Sequence, residues 1–330
     1  MPFKKLFVTG GTGFIGSSLV AHLNSQGYQV SCLVRDHKRG NRLYGSSVRL
    51  YIGSLGYTSS VELEKMIEGH DAVLHLASIS REQMIPWEDY VRTNVNGAED
   101  ILRASLSCGV GKLLYFSTVG VLGTIPRRLP SMEDAPYDPD CSYHRSKAFA
   151  EQKVLEWDRR GLNTTIIRPT ITYGPRDRDF LFKMARLVDK GVFPLIGSGE
   201  NKIHIVYIRG LIAATISALN MARTPRRIYT IADSNPLQLR ELIHMISSSL
   251  ERKTLIIRTP SRILSLMGKA YDRSIAQLTK GRSMYISTRL LSGSWYYSID
   301  KAVNDLAYRP YDTDAQVKTT MDWYVGNGWL

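Results

Sequence analysis

Short apolar runs alternate with stretches of helical periodicity through the first half of the chain. The apolar runs predict strands, and in the gaps residues such as Ile15, Leu19 and Leu23 recur every four positions, which indicates helices. The predicted strands lie near 4–9, 28–34, 48–52, 71–77, 111–117 and 163–168. This strict alternation predicts an α/β fold built on a doubly wound parallel sheet of the Rossmann type.

The pattern becomes helix-rich and irregular after about residue 176, and a further strand is predicted near 227–232. The chain has 330 residues, whereas a single core usually stops growing at roughly 250–300. We therefore expect two interleaved domains: a larger one of residues 1–175 and 203–233, and a smaller, mostly helical one of residues 176–202 and 234–330. A small-molecule substrate would lie in the cleft between them.

A glycine-rich turn joins the first predicted strand to the first predicted helix, which is the setting of a dinucleotide-binding turn. Gly10 would allow the tight turn, Gly13 would let the main chain approach a pyrophosphate, and Gly16 would let helix and strand pack closely. The N-terminus of the helix, with Phe14 and Ile15 in its first turn, would favour the negative charge. The turn predicts that NAD(H) or NADP(H) binds here.

The end of the second predicted strand bears on the choice between these two cofactors. An NAD-specific site would place a carboxylate after Val34, whereas this chain has Arg35. A guanidinium suits a ribose 2′-phosphate, and Lys38 and Arg39 are close enough in sequence to assist. NADP(H) is therefore the favoured cofactor, although NAD(H) stays open because a shift of one residue would bring Asp36 towards the ribose.

Tyr143 and Lys147 stand four residues apart in a predicted helix, so their side chains share a face. An ammonium beside a phenol favours the ionised phenol and would bring its pKa from ~10 towards neutral pH. The strand predicted at 111–117 delivers the hydroxyls of Ser117 and Thr118 at the edge where open α/β sheets place their ligands. These residues predict redox chemistry in which Tyr143 moves a proton.

The glycine turn, the hydroxyl strand end, the Tyr143–Lys147 pair and residues 168–175, 308–310 and 323–329 together resemble the extended short-chain dehydrogenase/reductase family, also described as NAD(P)-dependent epimerase/dehydratase-like. The resemblance covers nearly the whole chain and is nearest the branch of 3β-hydroxysteroid dehydrogenases and dihydroflavonol reductases. It implies that Tyr143 is the acid/base, that Lys147 binds the nicotinamide ribose, and that Thr118, or Ser117 in another register, orients the substrate oxygen. Asn94 matches a family asparagine with a positional role.

The same resemblance implies further cofactor contacts along the edge of the sheet. They are Leu76, Ala77 and Ser78 after the fourth strand, and Pro169 and Ile171 beside the nicotinamide. On the adenine side the family commonly has an aspartate where this chain has Ser54, next to Leu55. A serine hydroxyl could still make one hydrogen bond with the base.

Several positions depart from relatives that act on sugars. Val119 and Gly120 stand where dehydratases carry an acidic pair, which disfavours elimination chemistry. Ile203 stands where nucleotide-sugar epimerases hold a diphosphate with arginine, and the adjacent Lys202 lacks the planar fork. Arg209 replaces an aspartate and has either a structural or a substrate role.

Three readings of the function follow from these residues. The first is an NAD(P)-dependent oxidoreductase acting on a secondary alcohol or ketone of a largely apolar small molecule. The alternative is a nucleotide-sugar epimerase of the same family, which would recycle its cofactor within each turnover. A third reading is a non-catalytic nucleotide-binding subunit, and the complete set of Thr118, Tyr143 and Lys147 counts against it.

The composition of the chain limits the classes of partner that we expect. The 43 Lys and Arg exceed the 30 Asp and Glu, but neither a nucleic-acid-binding module nor interleaved aromatic residues accompany the charge, so nucleic acid is not an expected partner. The three cysteines fit neither a disulfide framework nor a metal site. The first strand leaves no room for a leader and no segment is long and apolar enough to span a bilayer, so we expect a cytoplasmic protein. The family resemblance implies a homodimer.

Residues 262–280 predict a basic amphipathic helix. Its apolar positions at helical spacing are Leu264, Met267, Tyr271, Ile275 and Leu278. Most such stripes face a core, but a lid over an apolar substrate or a peripheral contact with a membrane surface would show the same pattern. The sequence leaves these three interpretations open.

Overall fold

The computed structural model describes residues 3–80, 84–276, 279, 281 and 283–330. Its strands are β1 (Lys5–Thr9), β2 (Gln29–Val34), β3 (Arg49–Ile52), β4 (Ala72–His75), β5 (Lys112–Phe116), β6 (Thr164–Pro169), β7 (Ile171–Tyr173), β8 (Val192–Ile196), β9 (Lys202–Ile203), β10 (Ile205–Tyr207), β11 (Ile228–Ile231), β12 (Leu237–Gln238) and β13 (Leu255–Thr259). Seven of them form a sheet in the order β11-β6-β5-β4-β1-β2-β3. Every neighbouring pair in this sheet is parallel, which confirms the predicted doubly wound α/β fold.

Helices cover both faces of the sheet and continue into the second half of the chain. They are α1 (Phe14–Ser25), α2 (His37–Tyr44), α3 (Ser60–Ile67), α4 (Trp87–Tyr90), α5 (Gly97–Ser107), α6 (Ser142–Arg159), α7 (Phe180–Asp189), α8 (Ile208–Asn220), α9 (Leu239–Ser249), α10 (Ser261–Tyr271), α11 (Met284–Ser292), α12 (Asp300–Leu306) and α13 (Thr313–Gly326). A π-helical turn, Val91–Asn96, connects α4 to α5, and a 3₁₀ turn, Val119–Leu122, follows β5. The order of strands reverses between β1 and β4, and the crevice at such a point is where ligands of this fold bind.

The sheet strands are apolar on both faces because each face is covered. Leu6 and Val8 of β1 belong to one buried cluster, whereas Phe7 between them belongs to the other. Since successive side chains of a strand point to opposite faces, two separate cores form on the two sides of one sheet. This burial explains why the strands appear in the sequence as continuous apolar runs.

The second half of the chain combines helices with three two-stranded ribbons. β10 pairs with β7, β12 pairs with β9, and β13 pairs with β8 in parallel. The segment predicted near 227–232 forms β11 at the edge of the main sheet, and α8 packs against α1. The proposed division at residues 175, 203 and 233 stays a prediction.

The predicted helix at 262–280 is α10 followed by a π-helical turn, Asp272–Ala276. Met267 is 55% exposed, so the interpretation of the stripe as a core-facing surface is wrong at this position, while Leu264 and Tyr271 are half-buried. Leu278 and the side chain of Ile275 lie outside what the structure describes. Within the described part of the chain, no helix combines the length and apolar character that crossing a membrane requires.

Candidate active site

The glycine turn packs directly against the end of β4. Gly10 has a φ of 75°, and a Cβ on it would lie 2.7 Å from the amide nitrogen of Ala77, so only glycine fits there. The same amide donates to Oγ1 of Thr9 at 3.1 Å, and that oxygen is hydrogen-bonded to Nδ1 of His75 at 2.8 Å. The turn and residues 76–78, predicted separately as cofactor contacts, are therefore brought together.

The N-terminus of α1 is open to a ligand. Gly13 occupies the N-cap position without a side chain to cap the helix, so the main-chain N–H groups of Phe14 and Ile15 are left for an acceptor from outside the helix. A Cβ on Gly16 would collide with the carbonyl of Gly10, which keeps the helix close to the turn. The residues of this turn fit the pyrophosphate of a dinucleotide.

Side chains of α2 hold the other side of the turn. Nη2 of Arg39 donates to the carbonyl of Thr12 at 2.9 Å, and the hydroxyl of Tyr44 donates to the carbonyl of Gly11. Oδ1 of Asp36 accepts from the amide of Arg39 at 3.1 Å and so caps α2. Arg35 is exposed and makes no hydrogen bond or ion pair with the described residues. The carboxylate of Asp36 is thus engaged locally, whereas the guanidinium of Arg35 is not.

The predicted adenine contacts differ in accessibility. The amide of Ser54 donates to Oγ1 of Thr58 at 2.9 Å, and the side chain of Ser54 is half-buried. Leu55 is buried and packs against Gly97, where a Cβ would leave no room for it. The side chain of Leu55 therefore belongs to the core, and only its main chain could contact a cofactor.

The hydroxyls at the end of β5 have different surroundings. Oγ1 of Thr118 accepts from the amide of Gly120 at 3.1 Å, and Thr118 is half-buried. Ser117 is buried, and its hydroxyl has no hydrogen-bond partner among the described residues. Thr118 is consequently the more accessible of the two, while the assignment of the substrate-orienting role to it stays a prediction.

Tyr143 and Lys147 lie in α6 beside this strand end. Nζ of Lys147 donates to the carbonyl of Phe116 at 2.6 Å and lies 4.2 Å from the ring centroid of Tyr115. Burial lowers the pKa of Lys147 to about 7, and the charge of Glu151 acts in the opposite direction. The amine of Lys147 therefore loses its proton much closer to neutral pH than an exposed lysine does.

A buried ion pair one helical turn beyond Lys147 was not foreseen from the sequence. Nε and Nη2 of Arg168 donate to the two carboxylate oxygens of Glu151 at 3.0 and 2.7 Å, and both residues are almost fully buried. The hydroxyl of Tyr137 donates to the same carboxylate at 2.9 Å, and Nη1 of Arg168 donates to the carbonyl of Glu133 at 2.9 Å. The sequence feature that could have indicated this pair is the i, i+4 spacing of Lys147 and Glu151, which places both side chains on one face of the helix.

Asn94 connects the end of β4 to α6. Its Oδ1 accepts from the amide of Ile79 at 2.7 Å, while its Nδ2 donates to the carbonyl of Ile79 at 3.0 Å and to Oγ of Ser146 at 2.9 Å. Asn94 lies in the π-helical turn, a conformation that is common at functional sites. These contacts support the positional role predicted for Asn94.

The contacts of His144, which follows Tyr143 in the chain, were also not predicted from the sequence. Nδ1 of His144 is hydrogen-bonded to Oδ1 of Asp140 at 3.0 Å, and its ring fills the space that a side chain at Gly120 would need. Burial alone would raise the pKa of Asp140, but hydrogen bonds from His144 and Thr124 lower it to about 2. Nη1 of Arg289 in α11 donates to Oδ2 of Asp140 at 2.6 Å, which ties the second half of the chain to α6.

Asp140, Cys141 and His144 also place three potential metal-ligand atoms within 4.8 Å of one another. The carboxylate of Asp140 already accepts hydrogen bonds from His144, Thr124 and Arg289, so its charge is satisfied by protein groups. The cluster therefore acts as a support for α6 rather than as a candidate metal centre.

The remaining predicted positions lie along the same edge of the sheet. β6 ends at the buried Pro169, and Ile171 follows half-buried at the start of β7. Ile203 is completely buried and pairs with Leu237, so the position that would carry a diphosphate-binding arginine faces the core. Lys202 and Arg209 are both exposed.

Comparisons with known proteins agree with this geometry. The sequence model of the family described as NAD dependent epimerase/dehydratase matches residues 6–232. The chain is 28% identical over 318 residues to a 2-alkyl-3-oxoalkanoate reductase from Stenotrophomonas maltophilia, covering 93% of this chain and 94% of the relative. It is 24% identical to a UDP-glucose 4-epimerase from Vibrio cholerae, covering 82% of this chain and 83% of the relative.

Solved structures share the fold over nearly the whole length. The Bordetella bronchiseptica enzyme WbmG in complex with NAD superposes with a TM-score of 0.79 at 17% identity, covering 99% of this chain and 95% of that protein. At this identity the likeness shows the fold alone. A dinucleotide is thus bound by a protein with the same arrangement of strands and helices.

Proposed function

The chain belongs to the NAD dependent epimerase/dehydratase family, whose relatives are reductases and epimerases, and from this premise we propose that it interconverts a secondary alcohol and a ketone. The single observation that carries the proposal is that the open glycine turn, the Thr118 hydroxyl and the buried Lys147 beside β5 lie at one edge of one sheet. A dinucleotide held by its phosphates at the turn would then lie beside the groups that transfer a proton to or from the substrate.

The chain's own residues divide the proton chemistry among them. The hydroxyl of Tyr143 gives its proton to the carbonyl oxygen during reduction and takes it back during oxidation, and the hydroxyl of Thr118 donates a hydrogen bond to the same oxygen. Lys147, whose pKa burial lowers to about 7, exchanges a proton readily with the phenol. A nicotinamide dinucleotide held at the glycine turn supplies or accepts the hydride.

An apolar ketone is the favoured substrate class. The epimerase arginine position is occupied by the buried Ile203, and Val119 and Gly120 carry no acidic pair for elimination. A relative that is 28% identical over 93% of this chain is a 2-alkyl-3-oxoalkanoate reductase, and such compounds are ketones with alkyl chains and one carboxylate. A nucleotide-sugar epimerase is the second candidate, and the similarity to the Vibrio cholerae UDP-glucose 4-epimerase supports it.

The test measures net change in nicotinamide absorbance and product formation with a 2-alkyl-3-oxoalkanoate and with UDP-glucose. We expect reduction of the ketone, and Tyr143→Phe should slow it by about a hundredfold or more while cofactor binding, followed by fluorescence, is retained. Tyr57→Phe, at an exposed tyrosine, is the control. Conversion of UDP-glucose without net redox would favour the epimerase, and no turnover of either class together with tight cofactor binding would favour a binding subunit.

NADP(H) is the proposed cofactor. The support is that Asp36 caps α2 with its carboxylate whereas the exposed Arg35 makes no contact with the described residues. Arg35→Ala should weaken NADPH binding by tenfold or more and leave NADH binding nearly unchanged, while Arg42→Ala, in the nearby helix α2, should change neither. Equal effects of Arg35→Ala on both cofactors would contradict this preference.

We also propose a homodimer and a cytoplasmic location. Phe149 on the outer side of α6 is 38% exposed and lies next to Trp87, with ring centroids 6.0 Å apart, which supports an interface along this helix. Phe149→Lys should then produce monomers in sedimentation, whereas Leu43→Lys, at a similarly exposed residue of α2, should not. The three cysteines are not joined in disulfides, which supports a reducing compartment. Labelling of thiols in freshly isolated protein would test this.

A further inference from the structure

The ribbon formed by β8 and β13 has an apolar outer face. Phe193 of β8 is buried, whereas its neighbours Val192 and Pro194 are exposed. The parallel register places Leu255 beside Val192 and Ile257 beside Pro194. Because alternate residues of a strand share a face, these four side chains form one apolar surface that points away from the core.

Helix α10 also exposes apolar side chains. β13 leads through Pro260 directly into α10, where Leu266 is 70% exposed and Met267 is also exposed. Gly268 packs against the main chain of Tyr285 at the start of α11. Residues two apart in a helix point in nearly opposite directions, so Leu266 projects away from α11. We use the term apolar surface for the exposed apolar side chains of the ribbon and of α10, which are Val192, Pro194, Leu255, Ile257, Leu266 and Met267.

Exposed basic side chains lie in and next to the segments that carry the apolar surface. They are Lys190, Arg252, Lys253, Lys269 and Arg273. The acidic groups that face these elements are largely engaged: Asp189 pairs with Arg252 at 3.1 Å, and Asp272 accepts from Oγ of Ser283 at 2.6 Å and from the amide of Met284 at 2.7 Å. Glu251 is the remaining exposed carboxylate of this region among the described residues. The segments that carry the apolar surface therefore have an excess of basic side chains.

We propose that the apolar surface docks on an anionic lipid bilayer, with its apolar side chains among the headgroups and its basic side chains at the phosphates. Exposed apolar side chains together with nearby Lys and Arg are the combination that binds membrane interfaces, because the basic residues are attracted to an anionic leaflet. A second copy of the chain is a poorer occupant, because a two-fold contact through this surface would bring like charges together. The proposal does not depend on the proposed reaction.

Flotation with lipid vesicles tests the proposal on the full-length protein. We expect it to float with vesicles of phosphatidylcholine mixed with phosphatidylglycerol, to float weakly with phosphatidylcholine alone, and to dissociate as salt is raised. The combined variant Leu255→Asn, Ile257→Asn and Leu266→Asn should reduce binding to anionic vesicles by tenfold or more. Val325→Asn, at an apolar residue of α13 that is 55% exposed, should bind as the wild type does.

Two outcomes would overturn the proposal. One is that the wild type fails to float with anionic vesicles, or that the triple variant floats equally well. The other is that the triple substitution converts a dimer into monomers in sedimentation without vesicles, which would assign the surface to a second copy. Thermal unfolding of the triple variant checks that it is folded, and the exposure of the substituted side chains predicts an unchanged midpoint.

Discussion

Helix α6 buries charged side chains, whereas the ribbon of β8 and β13 exposes apolar ones. α6 buries charged groups, and each of them has a partner: Lys147 donates to Phe116, and Glu151 binds Arg168 through two hydrogen bonds. The ribbon leaves apolar groups exposed, with Leu255 at 64%. Buried charges require a fixed arrangement of partners, because an unpaired one is costly, whereas exposed apolar groups require none.

The difference is the basis for proposing chemistry at α6 and contact with a partner at the ribbon. A buried lysine with a pKa near 7 destabilises a folded chain unless its surroundings hold it, and such perturbed groups cluster at functional sites. Exposed apolar side chains contribute little to the stability of the fold. The composition of the apolar surface can therefore be suited to a binding partner. Substitutions should therefore have large effects on stability at α6 and small ones at the ribbon.

The largest effect is expected from breaking the buried ion pair. Glu151→Gln removes the charge that compensates Arg168, and we expect the free energy of unfolding to fall by about 3 to 5 kcal/mol. Urea denaturation measures this loss. Glu156→Gln, at a partly exposed glutamate of the same helix, should change stability by less than about 1 kcal/mol. A loss of that small size at Glu151 would mean that Arg168 finds other partners and that the two regions do not differ as described.

Lys147→Met should raise the free energy of unfolding, in contrast to Glu151→Gln, and should abolish activity. The folded protein binds the proton of Lys147 with a pKa of about 7, against an ordinary value of 10.5, so the unfolded state binds more protons between these pH values. The wild type therefore gains stability as pH rises from 7 to 10.5 and is most penalised below pH 7. We expect the methionine variant to be more stable by about 3 kcal/mol at pH 6.

The advantage of Lys147→Met should shrink as the pH is raised towards 10, and unfolding curves at several pH values would follow it. Lys153→Met, at a partly exposed lysine of the same helix, serves as the control because its ammonium remains in contact with water. A methionine variant that is less stable than the wild type at pH 6 would show that the hydrogen bond to Phe116 outweighs the burial of the charge.

The strands and the cofactor turn could be predicted because their signals are local. Each predicted strand of the main sheet is present, since continuous apolar runs between helical periods have few other solutions. The turn at Gly10 and Gly16 depends on neighbours within a few residues, and the structure places it against Ala77. Local spacing also predicted that Tyr143 and Lys147 would share one helix.

The partners of these residues could not be predicted, because they come from distant parts of the chain. Arg168 reaches Glu151 from β6, and Arg289 reaches Asp140 from α11 across 149 positions. The exposure of Met267 could not be predicted either, because an amphipathic stripe has the same spacing whether it faces a core or solvent. Such contacts are decided by tertiary packing, which a single sequence does not record.

Asn94 offers an intermediate test near α6. Asn94→Ala removes three hydrogen bonds, two to Ile79 and one to Ser146, and we expect a loss of about 2 kcal/mol together with a larger fall in kcat than in cofactor affinity. Asn163→Ala, which removes hydrogen bonds to Gly111 and Ala222 away from the site, should lower stability without affecting kcat in the folded enzyme. Equal fractional losses of kcat in both variants would show that Asn94 supports the fold and does not position the site.

The smallest effect is expected at the ribbon. Leu255→Ser replaces a side chain that is 64% exposed, so little apolar area leaves a buried environment and the free energy of unfolding should change by less than about 0.5 kcal/mol. Ile52→Ser is the matched control, because Ile52 lies in β3 at the edge of the main sheet and is 63% exposed. Urea denaturation without lipid compares the two. A loss of about 2 kcal/mol or more at Leu255 alone would mean that another part of the protein covers this position in solution, because a side chain surrounded by water has no such stabilisation to lose.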